Sequence, residues 1–380
     1  MKSWGCLWQG TILTIWCKEK PDSCHGRTTL KHFSFWRNQF LEILKILVTL
    51  LVGLLMGAIV MQLSGKDWFQ AYSALFSSAL GNRVAIANCL LAATPLIFTG
   101  LGSAIAFRTG IFNVGVEGAL YLGAFAAAWV GFTFITLPGW VLIPLCFLVA
   151  AVVGGVWSYV PGLMRARLTV DEIVTTILLN YVAILFTSYL VNYPFKVPGM
   201  ANAMSAQVAQ QAQLTRLMPP SQLNTGFLIA ILATVVIAFI MRYLNLGFEL
   251  RSVGDNPIFA KWVGMPVQII IEKVMFISGV LGGVAGAVQV LGVHYRFAAN
   301  FSPGFGFTGI TIALLAHNSP IGVLFAALLF GVLRSGSATM ELFTDVPRDL
   351  IRILEATVIF FAAMDFSLSW LRRRRDGIHH

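Results

Sequence analysis

The sequence predicts an all-α, polytopic membrane protein of about ten transmembrane helices, some short or broken. Three observations carry that reading. Of 380 residues, 57% are hydrophobic and only 11% are charged, where soluble domains carry about 25% charged residues. The mean hydropathy is +0.79. Apolar runs longer than the roughly 18 residues that span a bilayer as a helix recur along the chain. The segments of about 10 alternating residues that build a membrane β-barrel are missing. A water-soluble enzyme and a disordered or coiled-coil chain are excluded by the same numbers.

The elements follow in order. Residues Trp4 to Trp16 form an apolar patch too short to span, and 1–34 read as a poorly ordered extension. Spanning segments are predicted near 41–63, 84–107, 111–134, 139–160, 172–191, 224–243, 269–293, 305–317, 319–336 and 349–370. The eighth is short for a hydrocarbon core of about 30 Å, so the eighth and ninth read as half-helices. Trp68 to Leu80 is amphipathic and reads as interfacial. The connection 192–223 is rich in Gln, Ala and Pro; it suits either partner docking or a plain link.

Two local signals place helix starts. Thr169 and Glu172 have the T-x-x-E spacing of a capping box. Asn256 followed by Pro257, with Gly264 beyond, predicts a short capped helix over Pro257 to Val263 inside the polar loop 244–268. Such a projecting helix suits either docking of a soluble subunit or a plain connection.

The net charge of +10 is topological rather than a nucleic-acid signal. With ten crossings and the N-terminus inside, most of the 26 Lys and Arg fall on the cytoplasmic side, including Arg372 to Arg375. Arg334 is counted on the outer side. The five cysteines lack C-x-x-C spacing, so neither a disulfide framework nor a metal site is indicated. No cofactor is indicated.

Catalytic signatures are missing. There is no phosphate loop of the G-x-x-x-x-G-K-[ST] type, no H-E-x-x-H and no G-x-S-x-G. Paired carboxylates at membrane depth are also missing, which argues against an enzyme. Two segments stand out instead. In Gly110 to Gly118, closely spaced glycines weaken a helix, and Asn113 and Glu117 share a face at i and i+4. In Ser302 to Gly309, Gly304, Gly306 and Gly309 open an apolar stretch that holds Phe305, Phe307 and Thr308. Interrupted helices at corresponding positions of two halves point to a transport pathway. The simpler reading is close helix packing. Glu117 is the one ionisable candidate for a carrier. Asn88, Asn180 and Tyr181 are further polar residues at depth; a membrane Asn commonly bonds a neighbouring helix. Phe301, Phe305 and Phe307 could stack on a planar ligand.

Three stretches resemble a known family: GIFNVGVEGALYLGAF from Gly110, LRSVGDNPIFAKWVGMP from Leu250, and GFGFTGITIALLAHNSPIG from Gly304. Val170 to Thr176 with Leu179 to Tyr181 agrees. They are similar to permease subunits of bacterial ABC importers, the branched-chain amino acid and ribose-type permeases, and within them the nucleoside and simple-sugar branch. The resemblance runs over about 85 to 370. Ala119, and Ala316 to Asn318, depart from the family's usual residues. The resemblance implies a permease domain over 35–371, with a coupling loop at 244–268 and a basic tail at 372–380. It implies a bacterial cytoplasmic membrane protein with both termini inside. Its partners would be a separate ATP-binding cassette ATPase, a second permease, an extracellular substrate-binding lipoprotein and the bilayer. Substrate would pass Asn113, Gly115, Glu117, Asn180, Phe305, Phe307 and Thr308. ATPase coupling would fall to Arg251, Gly254, Asp255, Asn256, Pro257, Ala260 and Gly264. The expected cargo is a nucleoside, of purine type, with simple sugars second; a carrier or channel without an ATPase is the reading from another class.

A chain starting at Phe35 is expected to insert and transport like the full sequence, because 1–34 lack spanning length. Membrane fractionation and uptake check this; loss of insertion would make Trp4 to Trp16 a targeting segment.

Overall fold

The helices of a computed structural model follow the apolar runs closely. It describes residues 51–343 apart from 66, 200 and 201, with side chains to 337. These residues lie within one compact unit, Val48–His380. The expected extension 1–34, the segment 349–370 and the basic tail lie outside the described residues, as does the start of the first segment.

Twelve helices are described. They are α1 (Leu51–Leu63), α2 (Trp68–Leu80), α3 (Arg83–Arg108), α4 (Val116–Thr133), α5 (Gly139–Leu168) and α6 (Glu172–Asn192), then α7 (Gly226–Tyr243), α8 (Asn245–Asp255), α9 (Pro257–Trp262), α10 (Val267–Gln289), α11 (Phe305–Leu315) and α12 (Pro320–Phe343). A π-helical turn over Val290–His294 extends α10. Among the described residues, seven helices are long and apolar enough to cross a membrane, and Phe305–Leu315 is shorter. The all-α polytopic class is therefore correct, and the half-length eighth segment is present as expected, but the ninth, also read as a half-helix, is corrected: α12 is long and apolar enough to cross.

Helices α3, α4 and α10 form the interior, and their residues are mostly buried. Helices α5, α6 and α7 flank them and turn Leu148, Val152, Val174, Leu185, Leu232 and Phe239 outward. Apolar side chains on an outer face are what a lipid or protein neighbour requires. Within the interior, small residues set the spacing. A Cβ placed on Gly283 of α10 would lie 2.1 Å from the Ala150 carbonyl oxygen of α5. One on Gly123 of α4 would lie 2.4 Å from the Gly283 Cα. Helices in an apolar medium gain no hydrophobic drive from association, so close backbone packing supplies contact energy instead.

Three local details differ from the sequence reading or refine it. The predicted segment 111–134 becomes helical only at Val116. The T-x-x-E box does not form. Thr169 sits at φ 53° as the left-handed end of α5, and Asp171 caps α6 by accepting from the Ile173 and Val174 amides. Glu172 is thereby released to pair with Arg165 at 3.1 Å. Helix α2 is capped by Asp67 and buries Ala71, Leu75 and Ala79 on one face.

Described residues of the connection 192–223 pack on the end of α10 where the π turn lies. The Val208 amide donates to the Tyr295 carbonyl, Leu214 to Leu291 and Ala209 to Gly131. Asn88 joins it too, accepting from the Ser221 hydroxyl at 2.8 Å. Residues that read as a docking segment or a plain link thus pack on one end of the helical unit.

Gly283→Leu is expected to lower stability by about 3 kcal/mol or more, the upper end of overpacking costs, because backbone must move. Thermal melting in detergent checks this against Val152→Leu on the outer face of α5, which should change stability by less than about 0.5 kcal/mol.

Candidate functional site

The site grows from the two glycine-interrupted segments. Helix α3 ends in a Schellman arrangement: Gly110, at φ 78°, lets the Ile111 amide reach the Ala106 carbonyl and its own amide reach Phe107. Residues 111–115 then run non-helical to α4. In an apolar unit each bare amide and carbonyl needs a partner. Helix α6 provides several of them. The Thr176 hydroxyl accepts from the Val114 amide at 3.3 Å, and the Asn180 side-chain amide donates to the Val114 carbonyl at 2.9 Å. The Asn180 oxygen accepts from the Gly118 amide at 2.8 Å. Gly115, at the cap position of α4, has no capping side chain; Asn180 caps α4 from another helix. Gly118 leaves the room, since a Cβ there would lie 2.9 Å from that oxygen.

Asn113 closes the turn. Its oxygen accepts from the Gly115 amide at 2.8 Å, and its NH2 donates to the Ser278 hydroxyl at 2.8 Å. Asn113 and Asn180 are both buried. Ser278 lies 11 residues beyond Val267, where α10 begins. At about 1.5 Å per residue that is roughly 16 Å, half of a hydrocarbon core of about 30 Å. The interruption is therefore near mid-depth.

The second interrupted segment meets the first there. Gly304, at φ 90°, precedes α11, and the Ser302 hydroxyl accepts from the Gly304 and Phe305 amides, each at 3.2 Å. The Gly306 amide donates to the Glu117 carboxylate in a short hydrogen bond. A Cβ on Gly306 would lie 2.5 Å from the Glu117 backbone nitrogen. The Thr99 hydroxyl donates to the Phe305 carbonyl at 3.0 Å. Tyr121 takes the Ser302 amide at 3.3 Å and faces its carbonyl at 3.4 Å. The two helix starts thus converge on one carboxylate. Glu117 stands in the first turn of α4 and accepts from the first turn of α11. Both helix N-termini carry partial positive charge, which favours an acidic group between them.

Of the sequence-derived pathway set, Asn113, Gly115, Glu117, Asn180 and Phe305 come together and are buried, Thr308 is half-buried, and Phe307 is 47% exposed. Tyr181 points outward from α6 at 62% exposure. Phe301 packs with Tyr121, Phe297 and His294, with ring centroids 5.0, 5.4 and 5.7 Å away. Thr99, Tyr121, Ser278 and Arg334 are absent from that set. Arg334 had a signal, a cation inside an apolar span. It lies within α12, as the predicted span 319–336 has it. Its guanidinium stands 4.8 Å from the Phe305 ring centroid and donates to the Pro303 carbonyl at 3.5 Å.

The second candidate region is the loop with α8 and α9. Asn256 caps α9 by accepting from the Phe259 amide at 2.9 Å. Gly264, at φ 89°, ends it with a second Schellman arrangement, Met265 amide to Ala260 carbonyl. The predicted capped helix is present one residue shorter, with Ala260 buried beneath it. Its outer face shows Ile258, Phe259, Trp262 and Val263, with Trp262 86% exposed. Arg251 donates to the Met241 carbonyl, anchoring α8 to α7. Asp255 and Pro257 are exposed. Gly254 packs on the end of α3: a Cβ there would lie 2.1 Å from the Arg108 carbonyl oxygen. The loop therefore touches the residues that lead into the interrupted segment.

These features define a polytopic helical membrane protein whose interior holds two helix starts at mid-depth. Residues 85–363 match the family of branched-chain amino acid transport system permease components, and the chain belongs to that family. It is 36% identical over 331 residues to the guanosine ABC transporter permease protein NupP of Bacillus subtilis, covering 86% of this chain and 94% of that one. It is 34% identical over 350 residues to the nucleoside ABC transporter permease protein NupB of Lactococcus lactis, covering 90% and 96%. It is 34% identical over 342 residues to the glucose ABC transporter permease protein TsgB13 of Haloferax volcanii, covering 87% and 89%.

Asn180→Leu is expected to cost about 2–4 kcal/mol, because the Val114 carbonyl and the Gly118 amide lose their partner in an apolar setting. Asn180→Asp, protonated in so apolar a setting, keeps one donor and an acceptor and should cost less than Leu. Thermal melting of the purified protein in detergent checks both.

Proposed function

We propose that this chain is the permease subunit of an ATP-driven importer of nucleosides, purine nucleosides foremost. The observation that carries the reading is similarity, over nearly the whole chain, to a permease named for guanosine and another named for nucleosides. The similarity to a glucose permease favours simple sugars as the second reading.

The mechanism rests on the two helix starts. Substrate passes beside the carboxylate of Glu117, with Phe305, Phe307 and Thr308 on the α11 side. Asn113, Gly115 and Asn180 hold the backbone that shapes this passage. A nucleoside offers hydroxyl and base donors to a carboxylate, and apolar rings receive its base. No chemistry occurs on the substrate; the chain binds weakly and moves. ATP is hydrolysed on a separate chain docked on α9, whose four apolar side chains suit a protein partner. Motion at α9 reaches the passage through α8, because Gly254 lies on Arg108 at the end of α3. A second permease, an extracellular binding lipoprotein and cytoplasmic termini complete the assembly.

Uptake of labelled guanosine, ribose and glucose into cells expressing this chain with its partner subunits tests the substrate. Guanosine uptake that depends on the chain is expected. Uptake of glucose or ribose alone would overturn the nucleoside reading. In the same assay Glu117→Leu should abolish transport while the complex still assembles, and Glu117→Gln should retain part of it, since its oxygen still accepts from Gly306. Normal transport by Glu117→Leu would remove Glu117 from the passage. Deleting Pro257 to Val263 should abolish ATPase association while insertion persists; retained transport would refute coupling through α9.

A further inference from the structure

We propose that Arg334 is a positioning residue of this passage, clasping the segment before α11 from α12. The inference rests on the reading that substrate passes Glu117.

The residues between the π turn and α11 leave helical geometry repeatedly. Tyr295 and Asn300 have φ of 54° and Gly304 of 90°. Asparagine adopts the left-handed region readily, but at Tyr295 it persists only where surroundings impose it. Residues 302–306 are held by three helices. From α4, Glu117 accepts from the Gly306 amide and Tyr121 engages Ser302. From α3, Thr99 donates to the Phe305 carbonyl. From α12, Arg334 donates to the Pro303 carbonyl and lies over the Phe305 ring at 4.8 Å. A guanidinium is planar and weakly hydrated, so it can stack on a ring and bond a carbonyl together. Lysine lacks the planar fork that does both at once.

This placement matters for movement. The carboxylate holds the Gly306 amide in the first turn of α11, while the guanidinium holds the Pro303 carbonyl and the Phe305 ring beside it. A shift of α4 against α12 has to break one set of contacts or carry the segment along. Arg334 therefore fixes where the start of α11 stands relative to the passage. An arginine placed inside an apolar span solely for packing would be a costly choice over leucine.

The test compares Arg334→Lys, Arg334→Leu, Phe305→Leu and the double variant Arg334→Leu with Phe305→Leu. Guanosine uptake is measured per assembled complex, the amount of complex being quantified in each membrane. Arg334→Lys should lower uptake about threefold, the size of a cation–ring contact at a part-exposed site. Arg334→Leu should lower it further, so that lysine gives partial rescue. Arg334→Leu and Phe305→Leu should be non-additive, because they remove the same contact. Uptake per complex equal to that of the unmodified chain in Arg334→Leu would overturn the proposal. So would additive losses with Phe305→Leu, or a loss of uptake fully explained by less complex, which would mark Arg334 as structural only. Failure of the passage itself reads differently. Glu117→Leu would then transport normally whatever Arg334 does, whereas loss in Glu117→Leu without loss in Arg334→Leu would sink the clasp alone.

Discussion

A backbone that leaves the helix inside an apolar unit must find a partner for every amide and carbonyl. The rest of the interior is arranged around that requirement at two places. At 111–115, α6 provides partners through Thr176 and Asn180, and Asn180 serves both the Val114 carbonyl and the Gly118 amide, while Ser278 of α10 holds the Asn113 side chain. At 302–306, α3, α4 and α12 do so through Thr99, Glu117, Tyr121 and Arg334. Five helices are thereby tied to two short segments, and these ties determine which helices must be neighbours. Ion pairs secure the helix ends nearer the loop, where Arg167 meets Glu272 at 2.8 Å.

Glycine makes the arrangement sterically feasible. Gly306 allows α11 to start against the backbone of Glu117, and Gly118 admits the Asn180 side chain. Gly283 lets α4 and α5 both lie on α10. These positions join polar satisfaction to close packing: without the second, the side chains could not reach the bare backbone. Two helix N-termini then face one carboxylate, an electrostatic arrangement that a continuous pair of spanning helices could not produce. The same geometry links outside to inside. Gly254 rests on the end of α3, so the polar loop and the interrupted segment share a boundary at Arg108.

Much of this was legible in the sequence because it depends on local physics. Apolar runs locate spanning helices since length and composition suffice. The short helix α9 was legible from Asn256, Pro257 and Gly264, since its caps lie within its own residues. Clustered glycines marked both interrupted segments. The capping box at Thr169 failed for an equally local reason: two capping residues, Thr169 and Asp171, compete, and the end of α5 claims Thr169. Asn113 and Glu117 read as a pair on one helical face, yet Asn113 precedes the helix and turns towards Ser278, while Glu117 turns towards Gly306.

The sequence by itself determined the class of protein, the span positions, the polar loop with its capped helix, and the two places where helices break. Each follows from hydrophobic length, from caps or from glycine, all properties of neighbouring residues. Only the tertiary structure decided what those breaks are for in the fold. That Asn180 caps α4 from 62 residues away, that Glu117 receives Gly306 from 189 residues away, and that Arg334 turns inward onto Phe305 are pairings of distant side chains. No periodicity encodes them, because each depends on which helices pack together, and small residues at the crossings settle that only once the chain is folded.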